Sequence, residues 1–203
     1  MIESIIAFMG ATALLAFSPG PDNIYVLTQS VANGRNSGLA TTAGLISGCI
    51  VHTTLVAFGL SAIIATSPTV FFAIKLLGAL YLVYLAYSVF KSDAKVSLTD
   101  GAPKKSYTAL FKQGVMMNIL NPKVTIFFLA FFPGFLWDPD GNTVIQFYIL
   151  GILFMIESLF IFGGIAVLAG SISGYLRKSE KVGVVLKWVQ IIVFIGIAVF
   201  ILI

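Results

Sequence analysis

An aspartate and a lysine stand in this chain where apolar sequence gives them little company. Asp22 and Asn23 follow the triplet Pro19, Gly20 and Pro21 inside "LAFSPGPDNIYV", and Lys123 follows Asn118, Asn121 and Pro122 inside "VMMNILNPKVTIFFLAFFPGF". Such a carboxylate and ammonium could hold the two ends of a zwitterion, each taking the opposite charge. Three further ionisable side chains interrupt apolar runs. His52, the only histidine, has the side-chain type that exchanges protons near neutral pH, although a packing role is equally open to it. Glu157 in "LFMIESLFIFGG" either titrates in support of proton movement or hydrogen-bonds a Ser or Thr of a neighbouring helix. Lys75 either contacts substrate, gates, or extends its ammonium outward to the membrane surface.

These residues sit in a chain of 203 residues that is 59% hydrophobic and 10% charged, with a mean hydropathy of +1.03. That composition excludes a soluble domain. Charged groups inside a bilayer cost on the order of a few kcal/mol each unless paired or hydrated, so those named above are functional candidates. The apolar start follows Glu3 with no Lys or Arg before it, so a cleaved signal peptide is not expected. A single cysteine, Cys49, leaves no internal disulfide or dithiol relay. There is no H-E-x-x-H sequence, and neither Asp22 nor Glu157 has a peptidase context, so no enzyme is expected. No cofactor, resident metal or nucleic-acid partner is expected either.

Apolar runs predict six spans, at about 4–31, 38–64, 68–90, 112–136, 143–173 and 182–203. The whole of 1–203 then forms one multi-pass membrane domain. Its first repeat covers about 1–92, a cytoplasmic linker about 93–110, and the second repeat about 111–203. Ten of the twelve Lys and Arg residues fall in or beside three connections: Arg35; Lys91, Lys95, Lys104, Lys105 and Lys112; and Arg177, Lys178, Lys181 and Lys187. The alternate connections carry none, so the positive-inside rule places the basic loops in the cytoplasm and both termini outside. This distribution, rather than nucleic-acid binding, accounts for the net charge of +4.

The prolines must open the helical ladder around Gly20 and again at Asn121, because each removes a donor and clashes with the preceding turn. Setting Pro21 against Pro122 puts Asp22 opposite Lys123. Halves of three spans each have opposite orientations, so the expected fold is an all-α integral membrane protein. Its six transmembrane helices form two inverted three-helix repeats, with the first and fourth helices interrupted. Paired interrupted spans point to a transporter site near the midplane, where Asp22 and Lys123 would meet and neutralise each other. Gly44, Gly48 and His52 recur every four residues and predict a close-packing face. Ala166, Gly170 and Gly174 predict a second, used either within the monomer or in a homodimer. Trp137 and Trp188 near span ends fit interfacial anchors.

At "SPGPDN" (18–23), "GLISGCIVHTTLVAFGL" (44–60), "KLLGALYLVYLAY" (75–87) and "NILNPKVTIFFLAFFPGF" (118–135) the chain resembles the LysE/RhtB family of amino-acid exporters. The resemblance implies a carrier of the bacterial inner membrane that exports small amino acids or close analogues in exchange for protons. A divalent-cation exporter of similar build is the alternative, against which a midplane lysine argues by repulsion.

Overall fold

The computed structural model describes residues 1–18, 20–92, 102–178 and 180–203, and among these every regular element is helical. In hydrocarbon a helix satisfies its own backbone, and that constraint acts on runs too apolar to show a polar face. The elements are α1 (Ile2–Phe17), α2 (Pro21–Asn33), α3 (Arg35–Leu55), α4 (Ser61–Thr66), α5 (Pro68–Lys91), α6 (Tyr107–Ile119), α7 (Pro122–Ile126), α8 (Thr143–Val167), α9 (Ala169–Lys178) and α10 (Glu180–Leu202). Several of their starts follow capping chemistry. Ser67, Ser106 and Asn142 accept the N–H groups of Val70, Ala109 and Ile145, which would otherwise be orphaned at a helix start.

Four stretches are long and apolar enough to cross a membrane: Arg35–Ile64, Pro68–Lys91, Thr143–Val167 and Lys181–Leu202. Counting each of two bent helix pairs as one span raises the number to six. The first pair, α1 and α2, is bent by 57°, and the second, Tyr107–Ile119 with Pro122–Phe135, by 51°. Both bends fall at the proline-rich breaks. The chain is thus an all-helical, multi-pass membrane protein.

Among the described residues two π-helical turns occur, at Val56–Leu60 between α3 and α4, and at Phe127–Phe131 after α7. Such turns insert a residue into a helix and are frequent at functional sites. The second is followed by a 3₁₀ turn, Phe132–Phe135. Phe127, Phe128, Phe131 and Phe132 all face inward along this stretch. Phe8 of α1 meets the ring of Phe132 edge-on at 5.0 Å, a favoured aromatic geometry. On the side of the predicted outer loop, Gln146 of α8 accepts the N–H groups of Trp137 and Asp138 at 3.0 and 3.1 Å and donates to the Asp138 carbonyl at 2.7 Å.

The fifth apolar run, expected to reach residue 173, stops as a helix at Val167. Leu168 leaves helical geometry and its N–H closes on the Gly164 carbonyl, after which the more polar α9 begins. The expected stripe is therefore split: Ala166 lies on α8 against Gly38, whereas Gly170 and Gly174 lie on α9, where an added Cβ would meet nothing within 4 Å. Neither glycine makes a close helix contact among the described residues. Close approach instead occurs between α3 and α6. A Cβ on Gly44 would run into the Phe111 carbonyl, one on Gly114 into the Thr41 carbonyl, and one on Gly48 into the side chain of Asn118.

Gly114→Leu should destabilise the detergent-solubilised protein by about 1–3 kcal/mol or more, because backbone atoms cannot yield to the new side chain. Gly170→Ala should lose nothing, and thermal unfolding midpoints of the two variants check the contrast.

Candidate functional site

Each helix break leaves backbone carbonyls without their usual donors, and named side chains supply the replacements. Pro122 has no N–H, so the carbonyl of Asn118, four residues earlier, lacks its helical partner. That oxygen accepts instead from the N–H of Asn121 at 3.1 Å and from Nε2 of His52 at 3.1 Å. A carbonyl can only accept, so Nε2 carries the proton. At the first break, α1 ends at Phe17 and the carbonyl of Ala16 accepts from Nδ2 of Asn23 at 2.8 Å.

Asn121 joins the two breaks. Its Oδ1 caps α7 by accepting the N–H of Lys123 at 3.0 Å, while its Nδ2 donates to Oδ2 of Asp22 at 3.1 Å. Both ends of the amide are committed, which fixes its orientation. Asp22 is buried in the first turn of α2. Gly20 is the N-cap of α2 and offers no side-chain acceptor, so backbone donors at this helix start remain available near Asp22.

Lys123 is half-buried and its ammonium lies 5.0 Å from the ring centroid of Phe194, a cation–π contact. The same Nζ would be 3.6 Å from a Cβ on Gly20, so the lysine reaches across to the first break. Among the described residues no ion pair joins Lys123 to Asp22. The carboxylate is instead hydrogen-bonded by Asn121. The two charges face one cavity of about 40 Å³, whose wall also includes Asn23, Asn118 and Asn121. At ~10–15 Å³ per water centre the cavity accommodates only a few waters. Oδ1 of Asn118 is buried without a partner among the described residues.

The other sequence candidates occupy different places. Gly20 and Pro21 also line the central cavity, Pro122 is the first residue of α7, and Pro19 lies outside the described residues. His52 is buried one layer behind the cavity, through its bond to Asn118, with its ring centroid 5.3 Å from that of Phe128. Glu157 hydrogen-bonds the hydroxyl of Thr12 on α1, beside Phe154 and Ser158, which do line the cavity. Lys75 is on a separate cavity of about 380 Å³ with Phe71, Pro133, Gly134 and the C-terminal Ile203. Sequence reasoning gave no role to Thr12, Ser158 or Phe127. Thr12 was readable as the one hydroxyl in the apolar run from Ile5 to Phe17, whereas nothing local marks the other two.

Comparisons with known proteins identify the family. A family model described as LysE type translocator matches residues 13–203. The chain is 30% identical over 175 residues to the homoserine/homoserine lactone efflux protein of Salmonella typhimurium, covering 86% of this chain and 84% of that one. It is 30% identical over 173 residues to an uncharacterized membrane protein of Vibrio cholerae, covering 85% and 84% of the two chains. It is also 33% identical over 158 residues to the uncharacterized membrane protein YrhP of Bacillus subtilis, covering 73% and 75%. No solved structure matches. With the match running from the first helix to the C-terminal residue, the chain belongs to the LysE type translocator family and is a membrane transporter rather than an enzyme.

Proposed function

We propose that this protein is a secondary active exporter of small amino acids or close analogues, homoserine among them, driven by proton exchange across the inner membrane. The observation that carries this reading is a cavity between two helix breaks that presents the carboxylate of Asp22 and the ammonium of Lys123 without joining them in an ion pair. A zwitterion inserted there places its ammonium on Asp22 and its carboxylate on Lys123, with the unpaired Oδ1 of Asn118 as a further acceptor. A bare divalent cation would be repelled by the same lysine. The family relationship, with a relative named for homoserine efflux, supports the substrate class.

Packing supports two inverted three-helix repeats about the linker near 93–110. The second span packs on the fifth and the third on the sixth, while contact of the fourth with the second is matched by contact of the first with the fifth. These are the pairings that exchange under a pseudo-two-fold axis. The basic connections then face the cytoplasm and both termini face outward. Glu157, hydrogen-bonded to Thr12 across α1 and α8, is the proposed proton-exchanging carboxyl. The hydroxyl of Thr12 also lies 2.9 Å from the Phe8 carbonyl. When it donates there, contact with Glu157 requires the protonated acid as donor, and when the acid ionises the hydroxyl must turn to it.

Cells producing the protein and loaded with homoserine-containing dipeptide should release homoserine faster than cells lacking it. Asp22→Ala and Lys123→Ala should each reduce that efflux about 30-fold or more, following the ~2–5 kcal/mol that truncating one partner of a buried charge pair costs. The double variant should be no better than the worse single one, and a double variant exporting at the normal rate would refute substrate binding by this pair. Asn121→Ser, which keeps an N-cap oxygen but loses the donor to Asp22, should leave membrane abundance unchanged. Its efflux should fall about tenfold, as expected for a hydrogen bond to a charged group, and immunoblotting beside the efflux assay separates the two effects.

A further inference from the structure

A second cavity, of about 430 Å³, adjoins the first break on the side of the basic connections. Pro21 lines both cavities, so the ring that opens the helix is also their shared wall. The volume falls in the range of ~300–1,000 Å³ typical of small-molecule sites, unlike the central cavity. One wall is the polar side of α2, with Tyr25, Thr28 and Gln29. Opposite it stand Gln113 of α6 and Lys105 of the segment leading into that helix.

The polar groups here divide into committed and uncommitted ones. Asn33 donates to Oε1 of Gln29 at 3.0 Å and to the carbonyl of Ala102 at 3.2 Å, which fastens the wall at 102–105 to α2. Lys105 donates to Oε1 of Gln113 at 2.5 Å. That single bond leaves the ammonium with further donors, and no carboxylate lines the cavity among the described residues. The hydroxyl of Tyr25 is buried and has no hydrogen-bond partner among the described residues. A buried hydroxyl left unpaired calls for an explanation, and a ligand that completes it is one.

We infer that this cavity is the loading site for substrate arriving from the basic, cytoplasmic side. Lys105 takes the carboxylate of a small amino acid, and as the ligand enters, the Tyr25 hydroxyl buried in the wall is uncovered and accepts from its ammonium. From there displacement of Pro21 delivers the molecule to Asp22 and Lys123, where each charge is met again. The substrate thus encounters a complementary partner for both ends on either side of the break. This assignment rests on the exporter reading and adds to it a first binding step specific to one face.

The test measures uptake of labelled homoserine into inside-out and right-side-out vesicles from cells producing the protein. Tyr25→Phe and Lys105→Gln should each raise the half-saturating concentration at the cytoplasmic face about three- to tenfold, the worth of one polar contact, without changing it at the outer face. Lys105→Arg should restore the wild-type value. Unchanged half-saturation, or equal shifts at both faces, overturns the loading site while leaving the exporter reading in place. Wild-type vesicles that move no amino acid faster than vesicles lacking the protein overturn both. If Tyr25→Phe fails to accumulate, Thr28→Cys decides the matter: homoserine should slow its alkylation by a membrane-impermeant maleimide applied to the cytoplasmic face, and alkylation that homoserine does not slow overturns the assignment.

Discussion

A backbone carbonyl deprived of its donor inside a bilayer has no water to turn to, and the centre of this protein is organised around that fact. Two breaks create the problem, and side chains from other turns or other helices resolve it: Asn23 at Ala16, His52 at Asn118. Each repair also immobilises a residue that would otherwise be taken for substrate or proton machinery. His52 is held by the broken helix as much as it holds it. Its first role is thus to complete α6, and any part in proton movement must be compatible with that bond.

The same constraint explains the close pairing of α3 with α6. A histidine on α3 can reach a carbonyl of α6 only if the backbones approach closely, and the glycines at 44, 48 and 114 permit that approach. Packing in a membrane gains little from hydrophobicity alone, since lipid tails are equally apolar. Small residues and a few directed polar contacts therefore carry the specificity. Asn121 extends the logic by tying the start of α7 to the carboxylate at the start of α2, so the two breaks form one polar unit.

Much of this was legible in the sequence because proline acts locally. A missing N–H opens a helix wherever it falls, so Pro21 and Pro122 announced both breaks, and the basic loops announced the sidedness now proposed. What could not be read depends on contacts between distant residues or on winding. The bond from Asn121 to Asp22 spans the two halves, and no spacing encodes it. The expected neutralising pair of Asp22 and Lys123 resolves into two charges on one cavity, because an amide intervenes at the carboxylate. The π-helical turn at Phe127–Phe131 lies in sequence that is apolar on every face, where periodicity carries no signal. The stop at Leu168 uses neither proline nor glycine at the break itself, which is why the fifth run looked continuous.

The size of the central cavity has a thermodynamic consequence. At about 40 Å³ it is too small for an amino acid, since the few waters it can hold number fewer than an amino acid's heavy atoms. On the proposed reading, the conformation described here is thus not the one that binds cargo. The measured dissociation constant then equals the intrinsic one divided by the fraction of molecules in the wider conformation. Substitutions that merely favour that conformation would tighten apparent binding without touching the ligand. Affinity alone would therefore be a poor guide to which residues surround the cargo.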